Sequence, residues 1–306
     1  MDFEILHNGK NIKDSIETTA CYSCDRYGGM LDDLTVSFAS NSNTIEFNEG
    51  DELEIRTSGG FTTGTMYLDS CTGESGLFTV NALSCRHNNK RRKSKIWNHV
   101  RLSKIIGDVA ANTGLTPLMY GIEDFSYSSV SQIMEQDLQF LSRICKREGY
   151  SIKCDNGNLI VFNEHYLENN SKPIAISKDS VSSGYRFNRS VNGLASMTVR
   201  YFNPDTMRNI FFTSTDRSIS GGEDIRIEFL ADINEAQRFS VGYLREANKF
   251  YITGTLRMSY NGSISAGTVA DLSGFEEFDG RYVVYEAIHD FMHNQTTIKV
   301  RKVLGY

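Results

Sequence analysis

Alternation of apolar and polar residues dominates the first hundred positions. It runs over residues 35–39 and again over 51–56, where Leu53 and Ile55 share one face, the period-two signature of a half-buried strand. Further short runs at 65–68 and 77–83 are bounded by Gly60, Gly64, Gly73 and Gly76. Short strands punctuated by glycine turns predict a sandwich or barrel. Residues 1–45 carry only some strand-like patterning.

The pattern changes near residue 86. The stretch Asn88-Asn89-Lys90-Arg91-Arg92-Lys93-Ser94-Lys95 is polar and unpatterned, which predicts a loop or domain boundary. Beyond it the apolar spacing becomes helical. Leu102, Ile105, Ile106, Val109 and Ala110 fall on one face, with Asn98 as candidate N-cap and Gly114 as terminator. A second helix is expected over 131–148, with Ile133, Met134, Leu138, Leu141, Ile144 and Cys145 inward and Gly149 beyond its end. Ile152 and Cys154 then alternate up to Asn156-Gly157, a two-residue turn signal, and 159–162 returns as the second arm of a hairpin. Residues 96–165 read as a small α/β module.

From Lys172 onward the strand signature resumes, at 185–187, 196–202, 210–213 and 225–229, with Asn203-Pro204-Asp205-Thr206 as a turn. One helix interrupts over 234–249, burying Ala236, Phe239, Tyr243, Leu244 and Ala247; strands at 251–258, 268–272, 281–287 and 296–303 close the sequence. Gly50-Asp51-Glu52-Leu53 with Gly76-Leu77-Phe78-Thr79-Val80 is echoed by Gly267-Thr268-Val269-Ala270 with Gly280-Arg281-Tyr282-Val283-Val284. Two copies of one β unit would give this echo, and so would coincidence between hairpins.

Composition sharpens the class. With 306 residues, 40% hydrophobic and 23% charged, the chain is long enough for two compact domains. Twenty-five glycines against 3 prolines, with 15 Tyr and 18 Phe, favour strands and turns; the expected class is mainly β (α+β). The formal net charge of -6 argues against non-specific nucleic-acid affinity as the overall theme. No apolar run approaches the ~20 residues of a transmembrane helix, and the charged N-terminus lacks a signal-peptide core, so synthesis and assembly in a cytoplasm are expected. The six cysteines, Cys21, Cys24, Cys71, Cys85, Cys145 and Cys154, are expected as free thiols there.

Candidate chemistry is sparse. Cys21-x-x-Cys24 is half of a zinc or redox motif without a second knuckle. Gly221-Gly222-Glu223-Asp224 superficially matches the signature of cyclic-dinucleotide synthases but is expected as a turn. Gly73-Glu74-Ser75-Gly76 lacks the spacing of a nucleophile elbow, and neither HExxH nor a phosphate-binding P-loop occurs. The carboxylate pairs Glu123-Asp124 and Glu276-Glu277 could in principle serve a hydrolase but are expected as solvated turns; His289, in an apolar-alternating strand, is expected as a satisfied core or interface histidine. The basic run Lys90, Arg91, Arg92, Lys93 and Lys95 has no interleaved aromatics, as a base-stacking platform needs. No catalytic, cofactor or metal site is expected.

Four segments in order carry a resemblance. They are Trp97-Asn98-His99-Val100-Arg101-Leu102 leading to Gly114-Leu115; Gln136-Asp137-Leu138-Gln139-Phe140-Leu141-Ser142-Arg143-Ile144-Cys145 with Glu148-Gly149-Tyr150; Leu244-Arg245 and Asn248 leading to Ala266-Gly267-Thr268; and Phe278-Asp279-Gly280-Arg281-Tyr282-Val283-Val284 with His289. The pattern, spanning about residues 50–306, resembles the phage late control D family of contractile-tail baseplate hubs, which is related to the hub portion of the type VI secretion VgrG proteins.

That resemblance implies two tail-tube-like β-barrel domains, 1–95 and 166–306, the second with one helix, and an α/β insertion at 96–165. It implies a non-enzymatic homotrimeric ring that adapts a hexameric tail tube, or a tube-initiator protein, to a separate trimeric spike among other baseplate proteins. DNA would pass through the lumen without specific binding. The particle, an infectious phage or a tail-like bacteriocin, would assemble in a bacterial host cytoplasm. The basic run then becomes a candidate contact with an acidic neighbour. The alternatives are a tail-tip peptidoglycan hydrolase and a receptor- or carbohydrate-binding module.

Overall fold

The structure, a computed structural model, describes residues 2–40, 45–86, 91–182 and 184–306. Strands come first: β1 (Phe3–His7), β2 (Lys10–Asn11), β3 (Thr18–Arg26), β4 (Asp33–Ala39), β5 (Glu52–Thr57), β6 (Met66–Glu74) and β7 (Leu77–Leu83). A mixed stretch follows: β8 (Arg92–Arg101), α1 (Leu102–Thr113), β9 (Thr116–Tyr120), β10 (Ser126–Gln136), α2 (Asp137–Arg147), β11 (Tyr150–Asp155), β12 (Asn158–Asn163) and α3 (Glu164–Asn170). The remainder is β13 (Ile174–Ser177), β14 (Arg186–Arg189), β15 (Leu194–Asn203), β16 (Arg208–Thr215), β17 (Gly222–Ile227), α4 (Ile233–Asn248), β18 (Ile252–Ser259), β19 (Val269–Ser273), β20 (Gly280–Asp290) and β21 (Gln295–Lys302). The protein is mainly β with added helices, as the patterning predicts.

The two strand-rich ends of the chain build one sheet. Its path is β14-β18-β21-β20-β3-β4-β7-β6-β5-β1-β2, with β13 and β19 continuing from β20. The seam is the antiparallel pairing of β20 with β3, from Glu286↔Arg26 to Asp290↔Tyr22. A charge ladder runs across it: Arg26 reaches Asp33 on β4 and Glu286 on β20, and Lys299 on β21 meets Glu286 at 2.8 Å. On either side lie separate cores, one of Phe3, Ile5, Leu34, Val36, Phe38, Leu53 and Ile55, the other of Leu256, Leu272, Tyr282, Val284, Ile298 and Val300.

A third core lies under the helices. It joins Trp97, Ile105, Phe140, Leu141 and Ile144 to Met197, Val199, Phe239 and Leu244. Thus α4 and the three-stranded sheet β16-β15-β17 pack with the residues of the mixed stretch. The close approach of α4 to the end of α2 depends on Gly242, where a Cβ would lie 2.2 Å from the Arg147 carbonyl oxygen.

Local signals hold where the turn chemistry is strong. Asn156-Gly157, at φ 45° and 74°, joins β11 to β12 as a two-residue turn with both residues left-handed. The Glu74-Ser75-Gly76 stretch forms the equivalent turn between β6 and β7, with φ 49° and 84° at Ser75 and Gly76. Asn203 Oδ1 accepts from the backbone N–H groups of Asp205 and Thr206, forming the turn expected there.

Several expectations are corrected. Residues 92–95 of the basic run begin strand β8 rather than a loop, because β10 pairs with them. Asn98 lies within that strand; α1 starts at Leu102, and Asp124 caps it by accepting from the Ser103 N–H at 2.8 Å and the Ser103 hydroxyl at 2.9 Å. The second helix begins at Asp137, since 131–136 belong to β10, and Ile133 and Met134 face out instead of in. Gly222-Glu223-Asp224 lie in β17, not in a turn. In the internal echo, β19 and β20 are direct neighbours whereas β6 separates β5 from β7. Helix α3 had no prediction.

Candidate assembly surfaces

The ribbon of β8 and β10 decides the fate of the basic run. Along β8, Lys93, Lys95 and Trp97 alternate onto the face that covers the helices. Trp97 stacks on Phe140, with ring centroids 4.8 Å apart and planes 3° apart. Its indole N–H donates to Asp108 at 3.1 Å, and Lys95 both covers the ring at 4.3 Å and pairs with Asp108 at 2.9 Å. Lys104, then Lys95 and the indole, hold the Asp108 carboxyl well below its usual range, against an opposing push from burial. Lys93 reaches the buried Asp137 at 2.6 Å. Two of the candidate contact residues are thus engaged within the chain.

The other face of the ribbon is open. Arg92, Ser94 and Ile96 alternate onto it, and Ile96 pairs with Ser131, one alternation from Ile133. A bulge between Gln132 and Glu135 sets Met134 at φ 49°, leaving Ile96, Ile133 and Met134 64%, 70% and 62% exposed. Arg91 and Arg92 are exposed, with no ion pair to any described residue. Lys90 lies outside the described residues.

A second open apolar face lies on the β16-β15-β17 sheet. Its inner side, Met197, Val199, Tyr201, Ile210 and Phe212, packs toward α4 and its core. Its outer side carries Phe202, Phe211, Ile225 and Ile227, which are 49–73% exposed. Register places Phe211 and Ile227 on either side of Arg200, and Thr213 and Ile225 on either side of Thr198. Exposed large apolar side chains that cluster on one face mark interaction sites far more often than scattered ones do.

Beneath these surfaces a buried ionic cluster ties the parts together. Glu164 and Glu168, one turn apart on α3, meet Arg245 of α4, Lys249 just past its end and Arg301 of β21. Arg301 contacts Glu168 at 2.7 Å, Glu164 at 3.1 Å and the Tyr27 hydroxyl at 2.9 Å; Arg245 contacts Glu168 at 2.7 Å, and Lys249 contacts Glu164 at 3.3 Å. The Ser151 hydroxyl also donates to Glu164. Burial pushes the Glu164 pKa up, but Lys249, Arg301 and Arg245 outweigh it and bring it down to about 2. Glu164 therefore stays ionised, and the cluster cross-links α3, β11, β21, the end of α4 and the turn after β3.

The remaining candidates have structural occupations. Glu123 and Asp124 lie in the segment between β9 and β10, where Asp124 caps α1; burial raises its pKa, and the Ser103 groups and Arg101 bring it below its ordinary value. Glu276 and Glu277 sit in a 3-10 turn, with Glu277 pairing Arg189 at 3.3 Å. Cys21 and Cys24 are both buried on β3, but odd spacing along a strand sends them to opposite faces, so they do not form a knuckle. No metal-binding group of His, Cys, Asp or Glu occurs among the described residues. His289 is fully buried; its Nε2–H donates to the Ile264 carbonyl at 3.1 Å and its Nδ1 accepts from the Thr296 hydroxyl at 3.0 Å. It is a core histidine, as expected. No helix among the described residues is long and apolar enough to cross a membrane.

Sequence reading missed both the outer face of the β16-β15-β17 sheet and the ionic cluster. Signals existed: Ile225 and Ile227 alternate with Asp224 and Arg226, and the i, i+4 pairs Glu164/Glu168 and Arg245/Lys249 each share one helix face.

No protein-family model matches the sequence, and no curated protein sequence does so. Solved structures share the fold. A 43 kDa tail protein of prophage MuSo2 from Shewanella oneidensis superposes with a TM-score of 0.75 at 14% identity, covering 98% of each chain. A tail protein from Neisseria meningitidis gives 0.78 at 11% identity, over 99% of this chain and 97% of that one. An E. coli component of the type VI secretion system, described as structurally similar to bacteriophage T4 tail proteins, gives 0.69 at 9% identity over 99% of this chain and 77% of its own. The chain has the fold of these tail proteins from end to end.

Proposed function

We propose that this protein is the hub of a contractile-tail baseplate, in a phage or a tail-derived particle. Three copies form a ring that joins the hexameric tail tube, or its initiator, on one side to a trimeric spike on the other. The observation that carries this reading is the end-to-end fold likeness to tail proteins, 98% of both chains in the Shewanella case. In this reading residues 1–95 and 166–306 supply the two tube-like units and 96–165 the insertion between them. The seam between β3 and β20 would hold the two units in fixed relation.

The role is structural, not enzymatic. The carboxylates and cysteines considered for catalysis serve caps, turns or packing, whereas large apolar side chains stand exposed on a sheet face and on a ribbon. Ring subunits need such surfaces, which assembly buries at an area of ~2,000 Å² or more in obligate complexes. Of the basic run, Arg91 and Arg92, with Lys90 before them, form the candidate contact for an acidic partner in the baseplate, whereas Lys93 and Lys95 are engaged within the chain. The protein would assemble in the bacterial cytoplasm and end in the particle, with DNA passing through the lumen without specific binding.

The test is the mass of the purified protein by light scattering, alone and mixed with the candidate spike. A trimer, formed alone or with the spike, is the expected result. A monomer indifferent to the spike overturns the hub.

A further inference from the structure

We propose that the outer face of the β16-β15-β17 sheet docks on a second copy of this chain, in the groove that Phe47, Glu49 and Leu68 form on the β1–β7 unit. This deepens the hub reading and rests on it, because it names the two surfaces that close the ring. The sheet face is apolar around Arg200, with a second charge, Glu223, exposed on the same face beyond Ile225. Arg200 stands exposed at its centre, between Phe211 and Ile227, with Ile225 and Phe202 beside it. No carboxylate among the described residues pairs with Arg200. A guanidinium set in an apolar field calls for a carboxylate supplied by whatever covers it, since the charge is costly to bury unpaired.

The ring reading excludes the simplest self-contact, because a two-fold pair closes on itself and builds no threefold ring. A two-fold axis at the centre of the face would also bring two Arg200 side chains together, and like charges across an interface are penalised. The partner surface must therefore be a different one, apolar in its floor and acidic at its rim. A ring of identical subunits is built from such heterologous pairs.

The β1–β7 unit offers that surface. Residues 1–86 contain 14 acidic and 5 basic side chains, so this unit is the acidic pole of the chain. On it, Phe47, Glu49, Leu68, Asp69, Ser70 and Cys71 line a shallow groove, in which Leu68 is buried, Phe47 half-buried and the other four exposed. Glu49 is exposed and makes no ion pair with any described residue. The groove and the sheet face belong to different cores, as a contact that passes from one copy to the next requires.

The experiment is a charge swap read by light scattering across a dilution series. Arg200→Glu and Glu49→Arg are each expected to raise the concentration for half-assembly at least tenfold, and the double variant to restore assembly toward wild type. Thermal melts establish that each variant is folded; both positions are exposed, and Arg200→Lys serves as the conservative control that keeps assembly. Single variants that assemble like wild type overturn the docking surfaces while leaving the trimeric hub intact, as does a double variant that stays dissociated. A wild-type chain that is monomeric both alone and with the spike overturns the docking and the hub together.

Discussion

Arg301 of β21 and Glu168 of α3 pair at 2.7 Å with both side chains wholly shielded from solvent. The same guanidinium also holds Glu164 and the Tyr27 hydroxyl, so one side chain near the end of the sequence pins together α3, β21 and the turn after β3.

Breaking that pair leaves charge stranded in the interior. Glu168→Ala removes a carboxylate shared by Arg301 and Arg245, leaving Glu164 alone against three buried cations, and is expected to cost about 3–5 kcal/mol, the usual penalty for breaking a buried ion pair. Arg301→Lys is expected to fail to substitute, because a single ammonium does not span two carboxylates and a phenol in the geometry of a planar fork. Urea unfolding midpoints check both.

His289 makes stability depend on pH. Burial lowers its pKa from 6.5 to about 4, a shift opposed only by its bond to the Ile264 carbonyl. Between those values the unfolded chain binds a proton that the folded one refuses. The contribution is therefore complete above pH 6.5 and is lost as the pH falls toward 4, reaching about 3 kcal/mol. Melting temperatures measured from pH 7 to 4 should fall less steeply in His289→Gln than in the wild type.

Gly242→Ala tests the contact of α4 with α2. The added methyl would sit 2.2 Å from the Arg147 carbonyl and 2.8 Å from the Gly149 nitrogen, so the helices must separate. A loss of about 2–3 kcal/mol is expected, within the range for overpacking, although alanine is ordinarily the better helix former. Calorimetry of the variant measures it.

The basic run should divide by function. Arg91→Glu with Arg92→Glu is expected to leave stability within about 0.5 kcal/mol, as exposed substitutions do, and to weaken binding to an acidic baseplate partner in a salt-dependent way. Lys93→Ala should cost stability, because Asp137 is buried and loses a charge partner. Melting curves alongside binding at low and high salt separate the two roles; equal effects of the arginine pair and of Lys93→Ala on stability would contradict the division.

Zymography tests the carboxylates directly. The wild type is expected to leave peptidoglycan intact, and Glu123→Gln, Asp124→Asn, Glu276→Gln and Glu277→Gln to change nothing. Of the four, Asp124→Asn alone should lower thermal stability, through the weakened cap on α1.

Much of this architecture is carried by local rules. Period-two alternation marked β4 and β5, the 3-4-7-8 spacing marked the buried face of α1, and Asn156-Gly157 dictated its turn because few residues accept two successive left-handed conformations. These depend on backbone geometry and near neighbours alone. What the tertiary structure decided was which face is covered and where each charge goes. Alternation divides Arg200 and Ile227 from Val199 and Tyr201, but only the position of α4 buries one side and leaves the other open. Lys93 and Arg92 are adjacent and chemically alike; strand pairing turned one toward Asp137 and the other toward solvent. Glu168 and Arg301 lie 133 residues apart, and their pairing follows from sheet order and helix placement, because an ion is stable in the interior only where the whole fold brings it a partner.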